Sequence, residues 1–167
     1  RILSSLILIP LSFFLIYKGN FYFNLFLFLI LILSIKEWIS LSNNKFNLIL
    51  GIIFFFFSFF SAYMIRNFYQ DNGLEIFLFL TIVCISTDIG GYIFGKILKG
   101  PKLTKISPNK TYAGVLGSFL LSIFFSYIYF TQEYLIIKFG GLNSFSFIIL
   151  TIILCFVSQF GDLMISF

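Results

Sequence analysis

The chain has 167 residues, 60% of them hydrophobic and 10% charged, with a formal net charge of +5 and a mean hydropathy of +1.07. Soluble domains carry about 25% charged residues, so a water-soluble globule is excluded and lipid is the expected solvent. The sequence has no histidine, which excludes His-dependent general-base chemistry and His-ligated zinc within this stretch.

A membrane-spanning helix needs about 20 largely apolar residues, with a range of about 17 to 25. Six segments are candidates, at roughly 2–17, 21–37, 48–65, 74–95, 113–130 and 142–160. The first two are short, and Lys18-Gly19-Asn20 between them reads as a tight turn. They are expected to form a helical hairpin, with Lys18 snorkelling to the interface. Trp38 and Tyr63 fall near segment ends, where amphipathic rings favour the interface. Barrel strands alternate in polarity, whereas these segments are apolar all round. Lipid also demands that the backbone be satisfied internally, so the runs read as helices. Cys84 and Cys155 lie inside apolar segments without metal-ligand spacing and read as small hydrophobes.

The expected fold class is therefore all-α: a polytopic integral membrane protein of about six transmembrane helices. Residues 1–73 form three N-terminal spans, and 74–167 form a catalytic-type region with a basic loop at 96–112. The chain opens on Arg1 and stops at Phe167 without a polar tail, and a fragment at both ends is expected. No small-residue cleavage site follows the first apolar run, which reads as an anchor rather than a signal peptide.

Orientation follows from lysine and arginine. With loop 96–112 in the cytoplasm, that side also receives Arg1 and the 38–47 turn. It then holds Arg1, Lys36, Lys45, Lys96, Lys99, Lys102, Lys105 and Lys110, against Lys18, Arg66 and Lys138 outside. The excess fits the positive-inside rule. Asp71, Glu75 and Glu133 then lie outside. Asp88, the lysine loop and Asp162 come to one membrane face, where water-soluble and lipid substrates meet.

Residues 86–114, STDIGGYIFGKILKGPKLTKISPNKTYAG, carry the most information. A charge within a membrane helix costs about 2.5–3.5 kcal/mol on insertion scales and usually serves function. Asp88 is such a charge; the plainer alternatives are a shallow, solvated carboxylate or a pair with Lys96. Gly90, Gly91 and Gly95 are expected to break the segment end and admit a backbone or ligand; close helix packing is the alternative. The loop holds five lysines and no acid, which by itself also suits an anionic-lipid anchor. Ser107-Pro108-Asn109-Lys110-Thr111 adds hydroxyls, a rigid turn and a lysine just before a helix start. Helix N-termini favour anions, so a phosphate cradle is expected there. The pattern is not a Walker loop, which needs glycines before Lys-Ser/Thr.

Asp162, in Phe160-Gly161-Asp162-Leu163, reads either as a helix-end cap or as a carboxylate for Mg²⁺, a cation that prefers oxygen and bridges to substrate phosphates. Two carboxylates facing several lysines suit phosphoryl or nucleotidyl transfer. Ser158 and Gln159 are supporting donors or simple helix–helix hydrogen-bonding groups. Tyr92 and Tyr112 belong to the interfacial belt or stack on a base.

These residues resemble the bacterial phosphatidate cytidylyltransferase family, the CDP-diacylglycerol synthases. The resemblance lies in Asp88-x-Gly90-Gly91-Tyr92-x-Phe94-Gly95-Lys96, Gly100-Pro101-Lys102-Leu103, Lys105-Ile106-Ser107-Pro108-Asn109-Lys110-Thr111 and Gly161-Asp162-Leu163. Asn109 stands where the family usually has Lys, and Ala113 where many members have Glu. The family's Lys-Asp, His-Gly-Gly and Asp-Arg-x-Asp signature is expected after Phe167, so the resemblance implies an incomplete enzyme. It implies that phosphatidate attacks the α-phosphate of CTP, giving CDP-diacylglycerol and pyrophosphate with Mg²⁺ as cofactor. By resemblance, Asp88, Lys110 and Asp162 are the catalytic residues and Asp162 helps bind the metal. Lys96, Lys105, Ser107 and Thr111 are implied substrate-binding residues. The expected partners are CTP, phosphatidate and the bilayer, with a homodimer as an option and no nucleic acid. The expected location is the bacterial inner membrane, multi-pass, with the active face cytoplasmic. Rival readings are a polyprenol or phytol kinase-like enzyme that uses CTP, a transporter coupled through Asp88 at a broken helix, and a lipid-binding scaffold.

Overall fold

The computed structural model describes residues 2–42, 44–68, 72–103, 110–131 and 143–165. Their secondary structure is helical apart from one isolated β-bridge. The helices are α1 (Ile2–Lys18), α2 (Asn20–Leu41), α3 (Lys45–Phe68), α4 (Gly73–Leu98), α5 (Tyr112–Phe130) and α6 (Ser144–Ile165). The first five predicted segments each fall within one of them; the sixth, 142–160, does so from Ser144 onward, and residue 142 lies outside the described residues. Helices α2 to α6 are long and apolar enough to cross a membrane, and α1, at 17 residues, sits at the short edge of that range. The chain is thus an all-α, multi-pass membrane protein. Ser126 Oγ is buried without a partner among the described residues, whereas several hydroxyls inside the helices are satisfied one turn back: Ser58 and Ser61 donate to the Phe54 and Phe57 carbonyls at 2.9 and 2.8 Å. That is how polar side chains avoid exposing unpaired groups to lipid.

The chain divides into two compact units, Arg1–Phe77 and Leu78–Phe167, with the division inside α4. In the first unit Gly19 alone links α1 to α2, at φ +66°, and the α2 start at Asn20 is also left-handed at φ +46°. Lys18 lies over the rings of Phe14 and Tyr22, 5.4 and 4.7 Å from their centroids, a cation–π arrangement at the turn. Arg66, near the end of α3, donates from Nε and Nη2 to the Ile16 carbonyl at 3.2 Å. Its Nη2 also reaches the Tyr17 carbonyl at 3.5 Å. It thereby caps carbonyls that a helix end leaves unsatisfied. Asn67 Nδ2 bonds Asn24 Oδ1 at 3.0 Å between α3 and α2. Trp38 packs edge-on against Phe55 and directly over Gly51. Its Nε1 is buried without a hydrogen-bond partner, so the ring serves packing against α3.

The second unit is built on small residues. Helix α5 buries Gly114, Ser118, Ser122, Ser126 and Phe130, a strict four-residue spacing, together with Gly117. A Cβ on Gly90 of α4 would overlap the Gly117 carbonyl oxygen, and one on Gly114 would lie 2.8 Å from the Gly91 carbonyl oxygen. Here the sequence expectation is corrected. Gly90, Gly91 and Gly95 do not break α4, which continues to Leu98. They let the α5 backbone approach it, because lipid gives apolar side chains no reason to associate and close contact must supply the attraction. Ser118 Oγ crosses this contact to the Thr87 carbonyl at 2.7 Å. From α6, Phe147, Thr151 and Cys155 are buried at the same four-residue step. Phe147 stacks on Phe130 at 4.1 Å and tilts against Phe79 at 4.7 Å. With Val83 they form a buried apolar cluster, each aromatic pair adding about 0.5–1.5 kcal/mol.

Candidate active site

The end of α4 and the start of α5 are set by local backbone chemistry. Lys99 takes the left-handed conformation at φ +44°, just past Leu98. A residue of that kind ends a helix, and Gly100-Pro101 then turns the chain. The Leu103 N–H donates to the Lys110 carbonyl at 2.8 Å, and the Tyr112 N–H donates to the Pro101 carbonyl at 3.1 Å. Lys102 and Thr111 form the antiparallel bridge between them. This pairing fixes Lys110 and Thr111 at the entrance to α5. Thr111 is the N-cap, with extended backbone and Oγ1 accepting from the Gly114 N–H at 3.1 Å. Several first-turn amides are therefore already engaged, since the Val115 N–H also bonds the Thr111 carbonyl at 3.1 Å. An anion at this helix start would therefore have to rely chiefly on Lys110.

Three helices of the second unit enclose a cavity of about 320 Å³. Thr87, Asp88, Gly91 and Tyr92 of α4 line it, with Lys110, Thr111, Gly114, Val115 and Ser118 at the start of α5 and Gln159 and Asp162 of α6. The spacings are helical: 87, 88, 91 on one helix; 111, 114, 115, 118 on the second; 159, 162 on the third. Lys110 Nζ meets Asp162 Oδ2 at 3.0 Å, with side-chain exposures of 24% and 58%. So exposed a pair contributes only about 0–1 kcal/mol to stability, and its interest is chemical.

Most of the other polar groups in the lining are already committed. Thr87 Oγ1 donates to the Val83 carbonyl at 2.8 Å, Ser118 Oγ to the Thr87 carbonyl, and Thr111 Oγ1 caps α5. Among the described residues, Asp88 and Gln159 have no hydrogen-bonded or ion-paired partner. The cavity thus holds a neutralised pair, one further carboxylate and one amide.

Four of the predicted site residues, Asp88, Lys110, Thr111 and Asp162, come together here. Lys96 does not line the cavity: its ammonium reaches Tyr92 Oη at 3.4 Å and lies 5.5 Å from that ring's centroid. The alternative Asp88–Lys96 pair is not formed, because eight residues separate the two by about 12 Å along a helix, and Lys96 instead folds back one turn onto Tyr92. Lys105 and Ser107 lie outside the described residues. Gly161-Asp162 does not cap α6, which runs on to Ile165; Asp162 projects from within the last turns. Asp88 stands about 15 Å before the end of α4 at the helical rise, deeper than the segment ending at 95 suggests. Sequence reasoning did not single out Thr87, Val115 or Ser118. Their only signal is helical spacing from Asp88 and Thr111.

A metal would meet an all-oxygen donor set: the two carboxylates, the Gln159 amide oxygen and nearby hydroxyls. Among the described residues no group of three or more His, Cys, Asp or Glu gathers. That composition suits Mg²⁺, which keeps waters and binds through one or two carboxylates plus substrate phosphates.

A helical membrane protein with a charged cavity among its spans is the class these features define. A sequence model described as "Cytidylyltransferase family" matches residues 1–71 and 44–167. The chain belongs to that family. It is 34% identical over 96 residues to a phosphatidate cytidylyltransferase of Staphylococcus haemolyticus strain JCSC1435, covering 56% of this chain and 35% of that protein. A Staphylococcus epidermidis protein of the same name is 35% identical over 95 residues, covering 56% and 35%. One from Haemophilus influenzae is 34% identical over 95 residues, covering 55% and 32%. The matches span about a third of the length of these curated relatives. No solved structure matches the chain.

Proposed function

We propose that the protein to which this chain belongs transfers a cytidylyl group from CTP to phosphatidate, releasing pyrophosphate and forming CDP-diacylglycerol. The observation that carries this reading is the Lys110–Asp162 pair at 3.0 Å on a cavity that also contains Asp88. A cation able to hold phosphate and two carboxylates able to ligate a hard metal would then share one cavity, and the family and its named relatives support the same reading. Lys110 would hold an α- or β-phosphate oxygen, and Thr111 keeps that lysine at the start of α5. Asp162, with Asp88 or Gln159 beside it, would hold Mg²⁺, which when bound offsets the negative charge of the triphosphate. Asp88 would orient the incoming lipid phosphate or its cation. In such transfers positioning and electrostatics supply most of the rate. The lipid tails would remain in the bilayer beside α4 to α6. The active face would be cytoplasmic, in a bacterial inner membrane.

The test uses membranes containing the full-length protein, labelled CTP and phosphatidate. Mg²⁺-dependent CDP-lipid is the expected product, and Asp162→Asn should lower its formation by about 10²-fold or more without affecting membrane insertion. Absence of CDP-lipid from the wild type, or normal turnover by Asp162→Asn, would reject the reading. Polyprenol offered in place of phosphatidate separates the rival: phosphorylated polyprenol made from CTP would reassign the enzyme as a lipid kinase.

A further inference from the structure

We infer that Lys110 and a divalent cation compete for Asp162, so that the lysine guards the metal ligand until a substrate phosphate draws it away. The inference rests on the proposed metal role of Asp162 and deepens it. Among the described residues, the charged side chains lining the cavity are Asp88, Lys110 and Asp162. As folded, Lys110 Nζ lies 3.0 Å from Asp162 Oδ2, within charge-assisted hydrogen-bond range. An ammonium has donors but no lone pair, so it neutralises the carboxylate and occupies one of the two oxygens open to a metal.

The same lysine is also the cavity's cationic side chain available to a phosphate. It cannot saturate Asp162 and a phosphate equally. When it turns to phosphate, Asp162 and Asp88 face one cavity with no cation from the described residues between them, and like charges there disfavour each other. Uptake of a divalent cation removes that cost. Anion binding at Lys110 and cation binding at Asp162 are therefore coupled, and coupling of this kind is reciprocal. Neither partner is locked in place: Asp162 is 58% exposed, and Lys110 is a flexible four-carbon arm. Lys110 thus does more than meet an anion: it keeps the metal ligand occupied until the nucleotide arrives.

The experiment measures Mn²⁺ binding to purified full-length protein by electron paramagnetic resonance, without nucleotide, in wild type, Lys110→Met, Lys110→Arg and Asp162→Asn. Removing the competing ammonium in Lys110→Met should tighten Mn²⁺ binding by about two- to fivefold, the range set by an exposed ion pair. The same variant should bind metal-free CTP more weakly. Lys110→Arg keeps the charge and should keep wild-type Mn²⁺ affinity. Unchanged or weaker Mn²⁺ binding in Lys110→Met, with binding still lost in Asp162→Asn, would overturn the competition and leave the metal role standing. Equal tightening in Lys110→Arg would also overturn it, since the charge is retained. Wild-type Mn²⁺ affinity in Asp162→Asn would overturn the metal role and the competition together.

Discussion

Replacing Gly90 with alanine should force α4 and α5 apart and disable the cavity from beneath. The added Cβ would overlap the Gly117 carbonyl oxygen and lie 2.8 Å from both the Gly117 carbonyl carbon and the Ser118 Cα. These are backbone atoms, so no side-chain rotation relieves the contact. Carbon pairs settle at about 3.5–4.0 Å, so the helices must part by about 0.7–1.2 Å. The Ser118 Oγ to Thr87 carbonyl bond, now 2.7 Å, would stretch to about 3.4–3.9 Å and be largely lost. Overpacking costs about 1–3 kcal/mol and the lost bond about 1 kcal/mol, while alanine returns about 1 kcal/mol of helix propensity. The net expectation is about 1–3 kcal/mol of destabilisation. Because Asp88 and Gly91 ride on α4 and Thr111 and Gly114 on α5, activity should fall as well. Thermal unfolding of the full-length protein in detergent reads the first effect, and formation of CDP-lipid, the proposed product, the second. Gly161→Ala is the control: it has nothing within 4 Å of its Cβ position and should be neutral or up to about 1 kcal/mol more stable. A Gly90→Ala protein as stable and active as wild type would refute the close-packing argument.

Two further outcomes follow from single residues. Thr111→Ala should cost about 1 kcal/mol by leaving the Gly114 N–H uncapped, while Thr111→Ser should restore most of it; equal thermal midpoints for alanine and serine would remove the capping role. Arg66→Met strips the hydrogen bonds from the Ile16 and Tyr17 carbonyls and should lower stability by about 1.5–3 kcal/mol. An unchanged unfolding midpoint would show those bonds to be replaced by water.

The helices were legible because lipid leaves a long apolar run little choice. Their ends were not: Ile97 and Leu98 extend α4 beyond the charge of Lys96, and Gly161-Asp162 continues α6. The glycines illustrate a deeper limit. Within one segment Gly90 signals a break or a contact equally well, and only Gly117 on another helix decides which. Asp88, Lys110, Thr111 and Asp162 could be picked by type and motif. The Lys110–Asp162 pair joins residues 52 apart, and no spacing within either segment announces it. Thr87 and Ser118 stayed hidden because hydroxyls in membrane helices usually bond their own backbone, as Thr87 itself does.

Arg66 bears on how the first unit assembles in time. Its acceptor at Ile16 lies 50 residues earlier. Chains emerge at about 5–20 residues per second, so α1 would exist for about 3–10 s, and the completed α2 for about 1–5 s, before their clamp is made. The hairpin turned at Gly19 must therefore settle in the bilayer on its own contacts, with the α1 carbonyls wetted at the surface. The third helix then arrives as a fastener, and a chain stalled before Arg66 would leave the hairpin inserted but unlocked.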